Sequence, residues 1–212
     1  MTEPTAFWDS IAEKYAKRPI TDLEAYHYSL DRTRSYLAPT DHVLELGCGT
    51  GSTALLLADS VARYTASDLS PKMIEIGQTK AKTQGTDNVE FIATDVSDAQ
   101  HAGTVYDTVL ALNLLHLLQD LPTRLSEIHA MIKPGGLLIS KTVCLPTKGL
   151  PLKYRLMKGI LPVAQMLGKA PYVNFMTTTK LEQIITAAGF EILETGNYPV
   201  MLPGRYVVAR KI

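Results

Sequence analysis

The segment Glu45-Leu46-Gly47-Cys48-Gly49-Thr50-Gly51 decides the fold of this 212-residue chain. It joins a short apolar run, His42–Leu46, to an apolar segment with helical spacing over 52–62. This order predicts a strand, a tight turn and a helix. Three glycines at such a turn permit the backbone to approach a ligand closely. The segment therefore predicts a ligand-binding loop at the end of a buried strand.

Strands and helices alternate on both sides of this glycine loop. Further strands are predicted over 63–68, 89–93, 107–112, 137–143, 190–195 and 206–210, and helices over 7–37 (broken at Pro19), 70–84, 121–132 and 178–188, with a turn at 133–136. Such alternation indicates a mostly parallel sheet, while the last two strands are too close for a crossover helix. We predict an α/β fold with a doubly wound, mostly parallel, seven-stranded Rossmann-like sheet and an antiparallel C-terminal edge hairpin.

Composition limits the classes of function. The 21 basic and 21 acidic side chains give a formal net charge of zero, which disfavours DNA as a partner, since general nucleic-acid binders are basic. Cys48 and Cys144 are too few for a disulfide framework and lack metal-ligand spacing, so no metal site is predicted. No signal peptide or membrane span is indicated. We expect one cytoplasmic domain over 1–212, with an N-terminal helical cap over 1–41 and a lid insertion over 145–176.

An acidic residue downstream of the loop indicates the kind of ligand. Asp68 follows Gly47 by 21 residues, at the end of the next predicted strand, where an acceptor for ribose hydroxyls is expected. The dinucleotide pattern G-x-G-x-x-G/A is not met, because Ser52 stands where its third glycine would be. Glu45 would also repel a pyrophosphate at the loop. It suits a ligand with a cationic amino acid end, and S-adenosyl-L-methionine is such a ligand.

These motifs resemble those of the class I S-adenosylmethionine-dependent methyltransferases, in order along 43–143. The resemblance implies that Asp68 takes ribose hydroxyls, that Met73 packs on the adenine and that Asp95 accepts from its amino group. The full set of implied cofactor-binding residues is Tyr15, Glu45, Gly47, Cys48, Gly49, Gly51, Asp68, Leu69, Ser70, Met73, Asp95, Val96, Asn113 and Leu114. The Cys48 side chain itself is interpreted as packing.

The N-terminal helix resembles that of small-molecule methyltransferases, including the ubiquinone/menaquinone C-methyltransferase branch. In that branch a tyrosine of the helix covers the cofactor, so Tyr15 is the candidate lid residue; simple packing of the helix on the core is an equal alternative.

A catalytic base is needed only if a proton must leave the acceptor during methyl transfer. His116, just beyond the fourth predicted strand, is the candidate catalytic residue. A purely structural role, or contact with the cofactor, is the favoured alternative for it.

The segment 145–176 is expected to be irregular and to hold the substrate region. Between Ile128 and Leu181 there is no Asp or Glu, whereas lysines and one arginine alternate with apolar residues. This pattern fits a pocket for an apolar, acidic small molecule, peripheral contact with an anionic membrane surface, or only a solvated basic face. The residues predicted to bind the substrate are Tyr154, Tyr172 and Phe175.

The favoured function is methyl transfer to a small, apolar or acidic molecule. The alternatives are a methyltransferase acting on tRNA or protein, and a non-catalytic S-adenosylmethionine-binding protein. The residues Asn113-Leu114-Leu115-His116 lack the Asn/Asp-Pro-Pro-aromatic tetrapeptide of amino-group methylases acting on nucleobases and glutamine. The acceptor atom and the oligomeric state stay open.

Overall fold

A computed structural model describes residues 4–99, 103–145, 152–198 and 204–212. The strands are β1 (His42–Leu46), β2 (Arg63–Asp68), β3 (Val89–Ala93), β4 (Tyr106–Leu112), β5 (Ile132–Val143), β6 (Phe190–Asn197) and β7 (Gly204–Lys211). The helices are α1 (Pro4–Ala16), α2 (Leu23–Arg34), α3 (Ser52–Leu57), α4 (Pro71–Gln84), α5 (Val96–Ala99), α6 (Leu121–Met131), α7 (Leu152–Met166) and α8 (Thr178–Ala187). Short 3₁₀ turns follow α3 (Ala58–Ser60) and β4 (Leu115–Leu117).

The seven strands form one sheet in the order β3-β2-β1-β4-β5-β7-β6. Strands β1 to β5 pair in parallel, and β7 runs antiparallel to both β5 and β6. The predicted fold class is therefore confirmed, including the antiparallel C-terminal hairpin. The chain continues from β1 to β2 and β3 on one side of β1, whereas β4 and the later strands lie on the other side. A crevice opens at the carboxyl ends of β1 and β4, where this change of side occurs.

The core has two layers, one on each face of the sheet. Alternate residues of β1 point to opposite faces, so Leu44 and Leu46 join the cluster that contains α6 and α8 residues, whereas Val43 joins the cluster that contains residues of α2, α3 and α4. All three side chains are at most 1% exposed. Burial on both faces explains why β1 is a continuous apolar run interrupted only by Glu45.

The largest differences from the predicted elements lie in three segments. The third helix ends at Leu57 and tightens into the 3₁₀ turn, so it is shorter than predicted. Strand β5 begins at Ile132, and the residues of the expected turn, 133–136, form a bulge within it: Gly135 adopts a φ of +76°, and the pairing with β4 shifts register between Tyr106 and Thr108. The insertion expected to be irregular contains α7, in which Pro162 is an interior residue.

No helix of the described ranges is long and apolar enough to cross a membrane.

Candidate active site

The glycine loop over 47–51 follows β1 directly at the crevice. Gly47 and Gly51 adopt φ values of +66° and +73°, in the left-handed region. A Cβ on Gly47 would lie 2.8 Å from Leu114 Cδ1, and one on Gly51 would lie 2.4 Å from the ring of Phe91. Both positions therefore need glycine for its conformation and for its lack of a side chain.

Tyr15 covers the middle of this loop. A Cβ on Gly49 (φ +54°) would meet only Tyr15 Cε1, at 3.5 Å, which is an ordinary contact distance. The tyrosine ring therefore lies against Gly49, where the loop is less crowded than at Gly47 and Gly51. Helix α1 is fastened to α4, because Asp9 Oδ1 accepts from the Ser70 hydroxyl and, at 3.2 Å, from the Lys72 amide. Local burial and the nearby Asp68 carboxyl raise the pKa of Tyr15. The tyrosine is placed where a lid residue would be, although 46% of it is exposed.

Asp68, the last residue of β2, is bound to the loop. Its Oδ2 accepts from the amide of Gly49 at 2.8 Å and its Oδ1 from the amide of Ser70 at 2.9 Å. Burial raises the pKa of this carboxyl, and the two amides lower it in part. Each carboxylate oxygen can accept a second hydrogen bond, so both remain available to ribose hydroxyls. The structure thus brings the predicted ribose-binding acid to the loop.

Glu45 lies beneath the same loop and is 3% exposed. Its Oε2 accepts from the hydroxyl of Tyr64 at 2.9 Å, and burial raises the pKa of the carboxyl to about 8. A buried carboxyl with a neutral partner becomes charged readily only when a cation approaches it. The site therefore has the electrostatic character expected for a cationic ligand.

Residues predicted beside the adenine follow the carboxyl ends of β2 and β3, in the connections to α4 and α5 and in the first turns of these helices. Met73 is 2% exposed and Val96 8% exposed, so both are core side chains at this edge. Ser70 caps α4 by accepting from the Met73 amide at 3.2 Å, and the half-buried Leu69 precedes it. Asp95 Oδ1 accepts from the Ser97 amide at 2.8 Å and hydroxyl at 2.6 Å, which begins α5.

Cys48 is 8% exposed, and burial raises the pKa of its thiol well above the ordinary value. Its amide donates to the carbonyl of Ser67 at 2.9 Å, which ties the loop to β2. The side chain lies in the apolar cluster that contains residues of α2, α3 and α4, where the interpretation as packing places it.

The turn after β4 forms the opposite wall of the crevice. Asn113 has a φ of +60°, and its amide donates to the carbonyl of Lys141 at 2.6 Å. Leu114 fills the space above Gly47. His116 follows in the 3₁₀ turn, where its Nδ1 is buried without a hydrogen-bond partner within the described residues. Burial lowers the pKa of His116 to about 4, so the ring is neutral at pH 7.

The three residues predicted to bind the substrate are not all brought to the crevice, unlike the residues of the glycine loop. The carbonyl of His116 accepts from the Asn174 amide at 2.7 Å, so the segment before α8, including the half-buried Phe175, runs past the histidine. Tyr172 is 42% exposed. Tyr154 lies in α7, but its side chain is outside the described residues.

Sequence reasoning missed Tyr64 as the partner of Glu45. Glu45 pairs with Ala66 in the β1–β2 register, and Tyr64 lies two residues earlier on the same face. This relation appears only once the strand pairing is known. Lys141 and Tyr26, which line a small cavity beside Asn113, were also not singled out.

Comparisons with known proteins agree with this geometry. Residues 43–136 match a family described as a methyltransferase domain. The chain is 30% identical over 173 residues to the ubiquinone biosynthesis O-methyltransferase of Rhizobium etli (strain ATCC 51251 / DSM 11541 / JCM 21823 / NBRC 15573 / CFN 42), covering 79% of this chain and 67% of that protein. It is 30% identical over 152 residues to the protein of the same name from Rhizobium leguminosarum bv. trifolii (strain WSM2304), covering 72% of this chain but only 60% of that protein's length.

The fold is also that of a solved methyltransferase. The crystal structure of magnesium protoporphyrin IX methyltransferase from Synechocystis PCC 6803 with bound SAH superposes with a TM-score of 0.73 at 21% identity, covering 98% of each chain. The chain belongs to the class I S-adenosylmethionine-dependent methyltransferases. The predicted family and its cofactor, S-adenosyl-L-methionine, are thereby confirmed.

Proposed function

We propose that this chain transfers the methyl group of S-adenosyl-L-methionine to an oxygen atom of a small, apolar or acidic molecule. The observation that carries the proposal is Asp68, whose carboxylate holds the Gly49 amide directly beneath Tyr15. The choice of oxygen is supported by the two relatives, both of which are named O-methyltransferases. The comparisons give no support to a tRNA or protein acceptor, or to a non-catalytic role.

The residues of the crevice suit the parts of this cofactor. When bound, the cofactor supplies a methyl group activated on a cationic sulfur. In our proposal Glu45 faces the cationic amino acid end, and Asp68 accepts from the ribose hydroxyls. Tyr15 excludes water from above the loop, which favours displacement at a sulfonium because the transition state has dispersed charge. We keep the predicted roles of Met73, which packs on the adenine, and of Asp95, which accepts from its amino group.

His116 is our candidate for the group that takes the proton of the acceptor hydroxyl. As the acceptor oxygen forms its bond to the methyl carbon, the carbon–sulfur bond breaks and its electron pair stays on sulfur. The hydroxyl proton must then leave. The ring is neutral at pH 7 and one buried nitrogen, Nδ1, has no described partner, so it can accept. With a pKa of about 4 the ring is a weak base, so it takes the proton only once the new oxygen–carbon bond has made that proton strongly acidic.

We also propose that α7 rests on an anionic membrane surface. Its C-terminal half exposes large apolar side chains, Ile160 (64%), Val163 (54%), Met166 (73%) and the following Leu167 (59%). The surrounding sequence carries lysines without acidic residues. An apolar face with basic neighbours binds to anionic interfaces by burying area and by attraction to the head groups. Such contact would bring a lipid-like acceptor to the crevice.

Vesicle sedimentation tests this membrane contact. Wild-type protein should sediment with phosphatidylglycerol vesicles and much less with phosphatidylcholine vesicles, and Met166→Asp should reduce the bound fraction. Leu56→Asp is the matched control, because Leu56 is a 47% exposed apolar residue in α3, away from α7. Equal sedimentation of wild type and Met166→Asp would contradict the contact.

A methyl-transfer assay tests the activity. Methyl-labelled S-adenosyl-L-methionine is incubated with a panel of catechols and hydroxybenzoates, with their fully O-methylated ethers as controls, and with fractionated cell extract. Label should enter hydroxyl compounds or an apolar extract fraction, and the ethers should stay unlabelled. Label found only in the RNA or protein fraction, or in no fraction, would contradict the proposal.

A further inference from the structure

Lys141 lies at the carboxyl end of β5, beside the crevice. It is level with Leu112 in the β4–β5 register, and it points to the face of the sheet that carries α2 and Glu45. Its Nζ donates to the Ser29 hydroxyl of α2 at 3.1 Å. Its Cε would lie 3.2 Å from a Cβ on Gly204, so the stem of the lysine packs on β7. The ammonium is therefore held in place at the edge of the site.

This ammonium has no anionic partner in the part of the chain that the structure describes. The ion pairs found there involve other lysines and arginines, and Asp22 is the one carboxyl that raises the pKa of Lys141, from a distance. Burial lowers that pKa, because the cation is partly removed from water. A desolvated cation without a counter-charge gains most from an anionic ligand.

A cavity of about 40 Å³ opens beside the lysine, between α2, the start of α3 and the ends of β4 and β5. Tyr26, Ser29 and Asn113 line it together with Lys141. The hydroxyl of Tyr26, one of these lining residues, is buried with no hydrogen-bond partner among the described residues. Because a cavity holds one water once it offers about 10–15 Å³, a cavity of this size takes a group of a few atoms.

We propose that Lys141, with the hydroxyl of Tyr26, forms a carboxylate-binding subsite of the crevice. The assignment rests on the proposed function. A carboxylate matches one cation, one hydroxyl donor and the size of the cavity, because the Ser29 O–H already donates to the carbonyls of Ala25 and Tyr26. Glu45 points to the same face two strands away, roughly 10 Å across the sheet, so a zwitterionic amino acid between them would place each charge near its opposite. The carboxylate belongs either to the amino acid end of the cofactor or to an acidic acceptor.

Calorimetric titration with two cofactor forms separates these sources. The probes are S-adenosyl-L-methionine and its decarboxylated form, and the variants are Lys141→Met and Lys141→Arg. If the cofactor supplies the carboxylate, Lys141→Met weakens binding of the intact form by about 10- to 100-fold, the range for a lost charge-assisted hydrogen bond, and leaves the decarboxylated form unchanged. Lys141→Arg should restore part of the affinity.

Lys133→Met is the matched control, because Lys133 lies at the other end of β5 and pairs with Asp107 at 2.7 Å. It should leave both affinities unchanged. Lys141→Met should fold, since it replaces a desolvated cation by an apolar side chain of similar length, and its circular dichroism and melting temperature verify this.

A second set of titrations tests the acceptor as the source of the carboxylate, and it uses protein saturated with S-adenosylhomocysteine. If the acceptor supplies the carboxylate, Lys141→Met weakens binding of 3,4-dihydroxybenzoate but not of catechol, while the cofactor affinities stay at wild-type values. Wild-type affinity of a folded Lys141→Met variant for every probe would overturn the subsite and leave the proposed function standing. Failure of the wild-type protein to bind either cofactor form would overturn the proposed function and the subsite with it.

Discussion

Cofactor binding should be linked to the ionisation of Glu45. The carboxyl is fully buried with a pKa of about 8, so it is largely protonated at neutral pH before ligand binding. A cation placed within about 4–6 Å favours the charged carboxylate and lowers the pKa by about 1–3 units. Binding should therefore release a proton, and affinity should rise with pH.

The size of this linkage follows from the two pKa values. If the pKa falls from about 8 to about 6 on binding, affinity rises about tenfold between pH 6 and pH 7.5, and about 0.8 proton is released per ligand at pH 7. Glu45→Gln keeps an acceptor for the Tyr64 hydroxyl but cannot ionise. It should bind about twofold more weakly than wild type at pH 6 and about 25-fold more weakly at pH 7.5.

Titration calorimetry in two buffers of different ionisation enthalpy measures the released proton directly. Tyr64→Phe is a second check, because the tyrosine hydroxyl lowers the pKa of Glu45, and its loss should move the pH dependence to higher pH. Equal pH dependence in wild type and Glu45→Gln, or no proton release, would refute the role given to Glu45.

Three further changes test other parts of the site. Gly51→Ala should destabilise the protein more than Gly85→Ala by roughly 1–3 kcal/mol in urea unfolding. Both glycines have a left-handed φ, but only at Gly51 would an added Cβ clash with the Phe91 ring. Equal losses of stability would contradict this steric clash. The pKa of His116 is about 4 in the folded protein and about 6.5 in the unfolded chain, so the free energy of unfolding falls as the pH drops through this window. His116→Gln should lose less stability over the same window, and equal pH dependence in the two proteins would refute the burial of a neutral ring. Tyr15→Ala should weaken cofactor binding more than Tyr15→Phe, and equal affinities would remove the lid role.

Local patterns predicted the central part of this fold. The bounds of β1, β2 and β3 match the sequence prediction residue for residue, because each strand is a short run that ends at a turn or a cap. Pro71 and Ser70 likewise located the start of α4, where the serine accepts from a first-turn amide. The glycine spacing and Asp68 located the ligand loop. These features depend on neighbours within a few residues along the chain.

The errors involve contacts between distant segments. The start of β5 depends on its register with β4, which no local pattern of the sequence records. Helix α7, with Pro162 in its interior, lies in the segment that was expected to be irregular. The assignment of Asp95 to the adenine stays a prediction, and one of its oxygens accepts from the Ser97 amide at the start of α5. Which side chains face Glu45 and Lys141 could be known only from the assembled sheet.

The most direct test of the account is binding of S-adenosyl-L-methionine to the wild-type protein and to Asp68→Ala. Asp107→Ala is the matched control, since Asp107 also accepts from a backbone amide, that of His42 at 2.8 Å, but at the opposite end of the sheet. Calorimetry should show one cofactor per chain for wild type and Asp107→Ala, and at least about a tenfold loss for a folded Asp68→Ala. No binding by the wild-type protein, or unchanged affinity in Asp68→Ala, would contradict the assignment of this crevice as the cofactor site.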